Sequence, residues 1–342
     1  MINNRKFQFF ADAGSVVNTT AGDVNAYTGA ANATGAMTPG MKTYYNTELL
    51  ENSRAEQVYS QLGRKQTLPA HHGKTVEWRK FNTFEKTTTP LEEGVIPSGQ
   101  KFSMTGTNVT VRQFGDYTTI SDQLDMHAID PTVLAAAEEM GAAAGATADT
   151  LVRNVLMTGT NVMYAPKGDT PITSRAALTA ECKLTPDVVH KAVTILKKNK
   201  APKFEGKWYV AVIHPSVAYD LTASPEWVEL HKYSAATELF NGEIGQLRGC
   251  RFIESTEAPV FQAAPGVMGY ATLFFGKNAF GVVDPEGMGM EMIIKDKGEV
   301  GGPLNQFSTV GYKFEAATKI LYEERMLRVE SGSSFSAEDE SN

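Results

Sequence analysis

The sequence is short of most things that mark a secreted scaffold, a membrane protein or an enzyme. Only two of its 342 residues are cysteine, Cys182 and Cys250. They form no CxxC pair and no disulfide framework, which excludes a staple-dependent fold and predicts a reducing compartment. No run approaches the roughly 20 apolar residues of a membrane span. The apolar patch Phe7, Phe9 and Phe10 behind Arg5 and Lys6 is too short for a secretory h-region, so neither export nor a membrane is expected. Positive charge is not in excess: 32 Lys and Arg face 39 acids, for a net charge of −7. That disfavours a strongly basic nucleic-acid binder. Four of the seven excess negatives lie past Arg328, at Glu330, Glu338, Asp339 and Glu340, so the rest of the chain is nearly neutral.

Catalytic signatures are missing as well. There is no GxSxG, HExxH, P-loop or kinase set. Gly287-Met288-Gly289 starts like a dinucleotide loop, but Met292 holds the third glycine position and no helix pattern follows, so it reads as a turn. His71 and His72 are adjacent, and neighbouring side chains in a turn seldom converge on one metal ion. Asp122, Asp125, His127 and Asp130 form the densest polar cluster, whose oxygens suit Ca²⁺ or Mg²⁺. The cluster lacks the glycine and closing glutamate of an EF-hand, so Asp130 reads as a helix cap and the others as turn formers. A metal-dependent hydrolase built on it is the rival function from a different class. Lys197, Lys198, Lys200, Lys203 and Lys207, with Trp208 beside them, are the only basic run. Lysines in a helix's last turn complement its dipole and then face water, a simpler reading than a phosphate-binding patch. Neither cysteine has a base nearby in sequence. The expectation is a protein with no catalytic, cofactor-binding or metal residues, and not an enzyme.

What is present is an unusual layout. From Ala21 to Ala36, thirteen of sixteen residues are Ala, Gly, Asn or Thr, with little to bury, so residues 11–40 read as an arm that a neighbour must order. A helical run over 41–62 follows, with Gly63 as its stop. Strand patterns lie at 74–82 and 108–120, joined by a turn-rich stretch too long for an ordinary hairpin. Such stretches are usually functional or find partners outside the chain. The clearest helix is capped by Asp130 and runs over 131–157, with eight alanines between Ala135 and Ala148. It would be about 40 Å long at 1.5 Å per residue. A second helix, capped by Thr185, spans 186–199. The run Trp208 to Ile213 reads as a doubly buried strand, and further strands are expected at 249–254, 271–275 and 291–294. The alternation of Val310, Tyr312, Phe314, Ala316, Thr318, Ile320 and Tyr322 predicts one long strand over 306–329. The tail from Ser331 reads as disordered.

The order of these pieces resembles the tailed-phage major capsid proteins with the Hong Kong 97 shell fold, and more narrowly the major capsid family named after coliphage N-four. The residues that carry the resemblance are Pro90-Leu91-Glu92-Glu93-Gly94-Val95-Ile96-Pro97, Arg112-Gln113-Phe114-Gly115-Asp116-Tyr117, Val212-Ile213-His214-Pro215 and Phe274-Phe275-Gly276-Lys277-Asn278-Ala279-Phe280-Gly281. The resemblance implies an α+β fold with an N-terminal arm and helix over 1–63 and an extended β-hairpin loop over 64–120. It also implies a peripheral domain over 121–174 and 306–330 with a long spine helix, an axial domain over 175–305, and a disordered acidic tail over 331–342. It implies a major capsid protein that assembles with itself, as pentamers and hexamers, into an icosahedral shell around the double-stranded DNA of a phage or prophage. A shell protein of a cellular cargo-encapsulating nanocompartment is the near rival. Expected partners are further copies of the chain, a portal, and DNA enclosed without sequence-specific binding. The residues before the 41–62 helix look too few for a built-in scaffolding domain, so a separate scaffolding protein is expected. Assembly is expected in the host cytoplasm and residence in the virion.

Overall fold

The computed structural model describes residues 16–19, 22–25, 57–91, 93–94, 96, 99–127, 132–232, 243–287, 289–300, 304–335 and 339–342. Most of the expected arm and helix over 1–63 lies outside these residues, as do Asp130 and Pro131. Within the arm, β1 (Val16–Thr19) and β2 (Gly22–Asn25) pair antiparallel. One helical turn, α1 (Tyr59–Leu62), ends at Gly63. This glycine has an extended φ of −78°, so it is not a left-handed stop. It is glycine for want of room: a Cβ there would meet the Phe280 ring at 2.7 Å and Val282 at 2.8 Å.

The chain continues as β3 (Arg64–Leu68), β4 (Thr75–Phe81), β5 (Met104–Thr110) and β6 (Arg112–Ser121). The strand expected over 108–120 is thus two strands. They break at the buried Val111, whose amide donates to Lys74 O at 2.8 Å. Next come α2 (Asp122–His127), the long α3 (Thr132–Leu156) and β7 (Val162–Tyr164). Helix α4 (Pro186–Lys198) starts at Thr185 as read from sequence, with Thr185 Oγ1 accepting from Val188 N at 3.4 Å. Then follow β8 (Tyr209–Ile213), α5 (Pro215–Thr222), α6 (Pro225–Lys232), β9 (Glu243–Leu247), β10 (Cys250–Glu254) and β11 (Val260–Ala264). The last strands are β12 (Val267–Phe275), β13 (Phe280–Pro285), β14 (Glu291–Lys295), β15 (Phe307–Ile320) and β16 (Met326–Ser331). Among the described residues no helix is long and apolar enough to cross a membrane.

Strand β15 organises the first sheet, whose order is β2-β1-β6-β15-β13-β3 with β14 also on β15. Its alternation puts Val310, Tyr312 and Phe314 on the face beneath α3, where they pack with Ala137, Ala144 and Ile120. Small residues on that helix face let it lie close to the sheet, and Gly141 and Gly145 are both buried there. The second sheet runs β7-β16-β12-β8-β10-β9, with β11 on β12. Helix α4 lays Val188, Val189, Ala192, Val193 and Leu196 on it.

The single strand expected over 306–329 is also two. After Ile320 the amides of Leu321 and Tyr322 both donate to Ala279 O, at 2.9 and 3.0 Å, and a 3-10 turn at Glu323–Arg325 redirects the chain. Strand β16 then pairs with β12 in the second sheet, from Met326 opposite Phe275 to Ser331 opposite Tyr270. The two-part division differs accordingly. β13 and β14, expected with residues 175–305, pair with β15. β7 and β16, expected with 121–174 and 306–330, belong to the second sheet.

The tail from Ser331 is not loose where it is described. Ser331 and Ser333 are fully buried, Gly332 N donates to Cys182 O at 2.8 Å, and Ser333 Oγ donates to Ser216 O at 2.8 Å. The chain presses against Thr179 O at Gly332, where a side chain has no room. The small residues that suggested disorder are those a narrow passage requires.

Candidate interaction surface

The third sheet is a separate two-stranded hairpin, here called the projection. β4 and β5 pair antiparallel from Thr75 opposite Thr110 to Phe81 opposite Met104, and residues 82–103 form the connection beyond. One hairpin cannot bury two faces, and its far end is apolar. Phe81 is 60% exposed, Phe84 54% and Phe102 60%, yet the three rings cluster, Phe102 stacking on Phe81 at 5.0 Å and lying 5.8 Å from Phe84. Further out, Leu91 and Ile96 are 76% and 93% exposed. Aromatic side chains each bury about 150–250 Å² when covered, so this tip withholds a large hydrophobic term from its own subunit. A contiguous exposed apolar patch marks a surface that another molecule covers.

The root, by contrast, is fixed. Val76, Trp78 and Val109 pack on Val111, Val283 and Ala317. Trp78 lies so close to Gly281 that a Cβ there would meet its ring at 2.8 Å. Lys80 sits over the Tyr322 ring at 4.6 Å and pairs with Glu324 at 3.9 Å, while Arg325 covers Tyr322 at 3.7 Å. The hairpin is thereby tied to the turn where the chain passes between the two large sheets. Beside the root a cleft of about 770 Å³ opens between α3, β13 and β15, lined by Val109, Val155, Val283 and Phe314 with Lys65 and Asp284 at its polar edge.

Two buried ionic clusters brace this frame, and neither was foreseen. Asp149 on α3 is fully buried, and its Oδ1 accepts from Tyr59 N at 2.8 Å and Ser60 N at 3.3 Å, capping α1. Burial pushes its carboxyl up to about 6 against those backbone donors. Nearby Arg153 donates to Glu257 O at 3.0 Å and lies 3.6 Å from its carboxylate. In the second sheet Glu330 is fully buried, held by both Arg175 (Nε at 2.9 Å, and Nη2) and Arg328 Nε at 3.0 Å. Arg175 also lies over the Phe261 ring at 4.0 Å. Glu330 reads as part of an acidic tail, although the apolar run Met326, Leu327 and Val329 before it signals a strand that carries it inside.

The sequence-predicted candidates are dispersed. His71 and His72 sit in an exposed turn, His71 with φ 65° and His72 Nδ1 2.9 Å from Ala70 O. Asp122 accepts from Gln123 N at 2.8 Å, and Asp125 is engaged by Lys297 at 3.0 Å and Thr132 at 3.4 Å. His127 is exposed at the end of α2. Among the described residues no three metal-type side chains come together. Gly287 takes φ 77° in a turn. Lys197, Lys198, Lys200 and Lys207 are exposed, and Lys203 is half-buried beside the Tyr209 ring. Trp208 is not an open stacking platform, since Arg251 lies 3.6 Å and Lys207 5.4 Å from its ring. Cys182 and Cys250 are both buried, and burial raises the Cys250 thiol well above its ordinary value, away from the reactive thiolate.

Comparison with known proteins accords with this geometry. The family model described as phage capsid protein matches residues 105–321, more than half of the chain. No curated protein sequence matches significantly. Among solved structures, the capsid of Ralstonia phage GP4 is similar with a TM-score of 0.63 and 14% identity over 82% of this chain and 92% of that one. The cyanophage Pam1 capsid gives 0.62 and 12% over 96% and 100%, and that of cyanophage P-SCSP1u gives 0.59 and 16% over 81% and 89%. At such identities the likeness is one of fold, and the fold is the Hong Kong 97 type. With the family model covering 105–321, well over half of the sequence, the chain belongs to the phage capsid protein family and is a structural protein of a phage shell.

Proposed function

We propose that this chain is the major subunit of the shell, closing with many copies of itself, as pentamers and hexamers, around a double-stranded DNA genome. The exposed ring cluster Phe81, Phe84 and Phe102 on a fixed root carries this reading. A neighbouring subunit that covers it gains apolar burial at about 25 cal/mol per Å², repeated at every copy, so many modest contacts sum to a stable shell. The hairpin over 64–120 acts as the extended loop, the α3 sheet as the peripheral part and the α4 sheet as the axial part. The chain works without catalysis, cofactor or resident metal. A nearly neutral body suits a container, because dense basic patches would hold the phosphate backbone. A separate scaffolding protein, a portal and assembly in the host cytoplasm belong to the same reading.

The test is the double variant Phe84→Ser with Phe102→Ser. Both rings are exposed in the subunit, so the variant should fold with an unchanged melting temperature while shell yield falls at least tenfold by sedimentation. Undiminished shells would contradict the assignment.

A further inference from the structure

The described end of the chain lies along α5 and the edge of the second sheet. Ser334 anchors it first: its amide and hydroxyl both donate to Asp220, at 2.8 and 2.6 Å, and Lys183 Nζ binds the same carboxylate at 2.9 Å. Phe335 then meets Tyr219 edge-on at 4.9 Å. At the opposite end of α5, Asp339 Oδ2 accepts from Ser216 Oγ at 2.5 Å and from Tyr270 OH. His214 Nδ1, 4.0 Å from that oxygen, accepts from Ser216 N at 3.3 Å, and its ring lies 5.1 Å from Tyr270. Three residues on, Asn342 meets the outer edge of β11. Its amide donates to Val260 O at 3.2 Å, its Oδ1 accepts from Val260 N at 3.0 Å, and its Nδ2 donates to Ala258 O at 3.1 Å.

Two features make this a built site. The hydroxyls that grip the carboxylate belong to residues sunk in the protein, Tyr270 at 0% and Ser216 at 9% exposure, while the ligand rides on a largely exposed segment. Among the described strands β11 pairs with β12 alone, so its other edge carries no strand and meets Asn342 instead, the kind of edge a peptide adds to. We infer that the surface between the start of α5 and the β11 edge is a recognition site for a short acidic peptide. It selects a carboxylate followed three residues later by an amide side chain, and in the isolated subunit the chain's own Asp339 and Asn342 fill it. The contacts are made by side chains and one strand edge, so the same segment of a second copy fits equally well.

The experiment uses the full chain carrying Asp339→Ala and Asn342→Ala, whose own tail no longer competes, and a fluorescein-labelled peptide of residues 336–342. Anisotropy should show saturable binding. The same peptide with Asp339→Asn should bind at least tenfold more weakly. Adding Tyr270→Phe, or separately Ser216→Ala, to the protein should also weaken binding at least tenfold. The unaltered chain, its site filled, should bind the peptide at least tenfold more weakly than the tail-disabled one. Melting temperature checks that each variant is folded. No saturable binding, or binding indifferent to Asp339→Asn in the peptide or to both hydroxyl removals, overturns the proposal. None of these outcomes depends on shell formation, so the result is separable from the shell reading.

Discussion

Tyr59 N donates to Asp149 Oδ1 at 2.8 Å, across 90 residues of sequence, and fastens the segment before β3 to the long helix α3. The other carboxylate oxygen, Oδ2, is buried with no protein partner, as is Tyr59 OH. Tyr59 and Glu257 face Asp149, and burial outweighs the backbone donors in raising its carboxyl to about 6 from 3.8.

That shift fixes the sign of a pH effect. A carboxyl that binds its proton more tightly when folded adds stability below its unfolded value and loses it as pH rises through the folded value. The subunit should gain stability between about pH 6 and pH 4, by at most about 3 kcal/mol at 1.36 kcal/mol per unit. Asp149→Asn keeps an acceptor for the Tyr59 and Ser60 amides and removes the charge. Its melting temperature should rise relative to the native chain at pH 7.5 and match it near pH 4.5. Thermal melts at the two pH values check this, and parallel curves would refute it.

Gly281 tests the root of the projection. Gly281→Ala puts a methyl 2.8 Å from the Trp78 ring and 3.3 Å from Leu321 Cδ1. Overpacking of this kind costs about 1–3 kcal/mol. The variant should melt earlier, and the 82–103 connection should be cut faster by protease at fixed temperature.

The two classes of ion pair should separate cleanly. Glu330→Gln leaves Arg328 short of its counter-charge at a buried position and should cost about 3–5 kcal/mol. Lys80→Ala loses a pair whose side chains are 39% and 66% exposed and should cost under about 1 kcal/mol. Denaturant melts of the two variants give the comparison.

How much of this was legible follows from where the signal lives. The α3 stripe of alanines, the Thr185 cap and the doubly buried strand are local patterns, and each appears where the local sequence put it, the strand at Tyr209–Ile213 against an expected start at Trp208. The strand pair β4–β5 and its long connection were legible because an over-long connection between two strands is itself a local fact. The breaks at Val111 and at 321–325 were not, because alternation continues through a change of sheet and only the long-range bonds to Lys74 O and Ala279 O reveal it. Asp149 and Glu330 were hidden for a related reason. A buried carboxylate looks like a surface one until its partners, Tyr59 or Arg175, are brought from elsewhere in the chain.

The central claim is that copies of this chain cover one another's exposed apolar projections and close into a shell. Negative-stain microscopy with mass measurement of the purified full chain, across salt and pH, addresses it most directly. Closed particles or capsomer-sized rings are the predicted result. A compact monomer that persists under every assembly condition would contradict it.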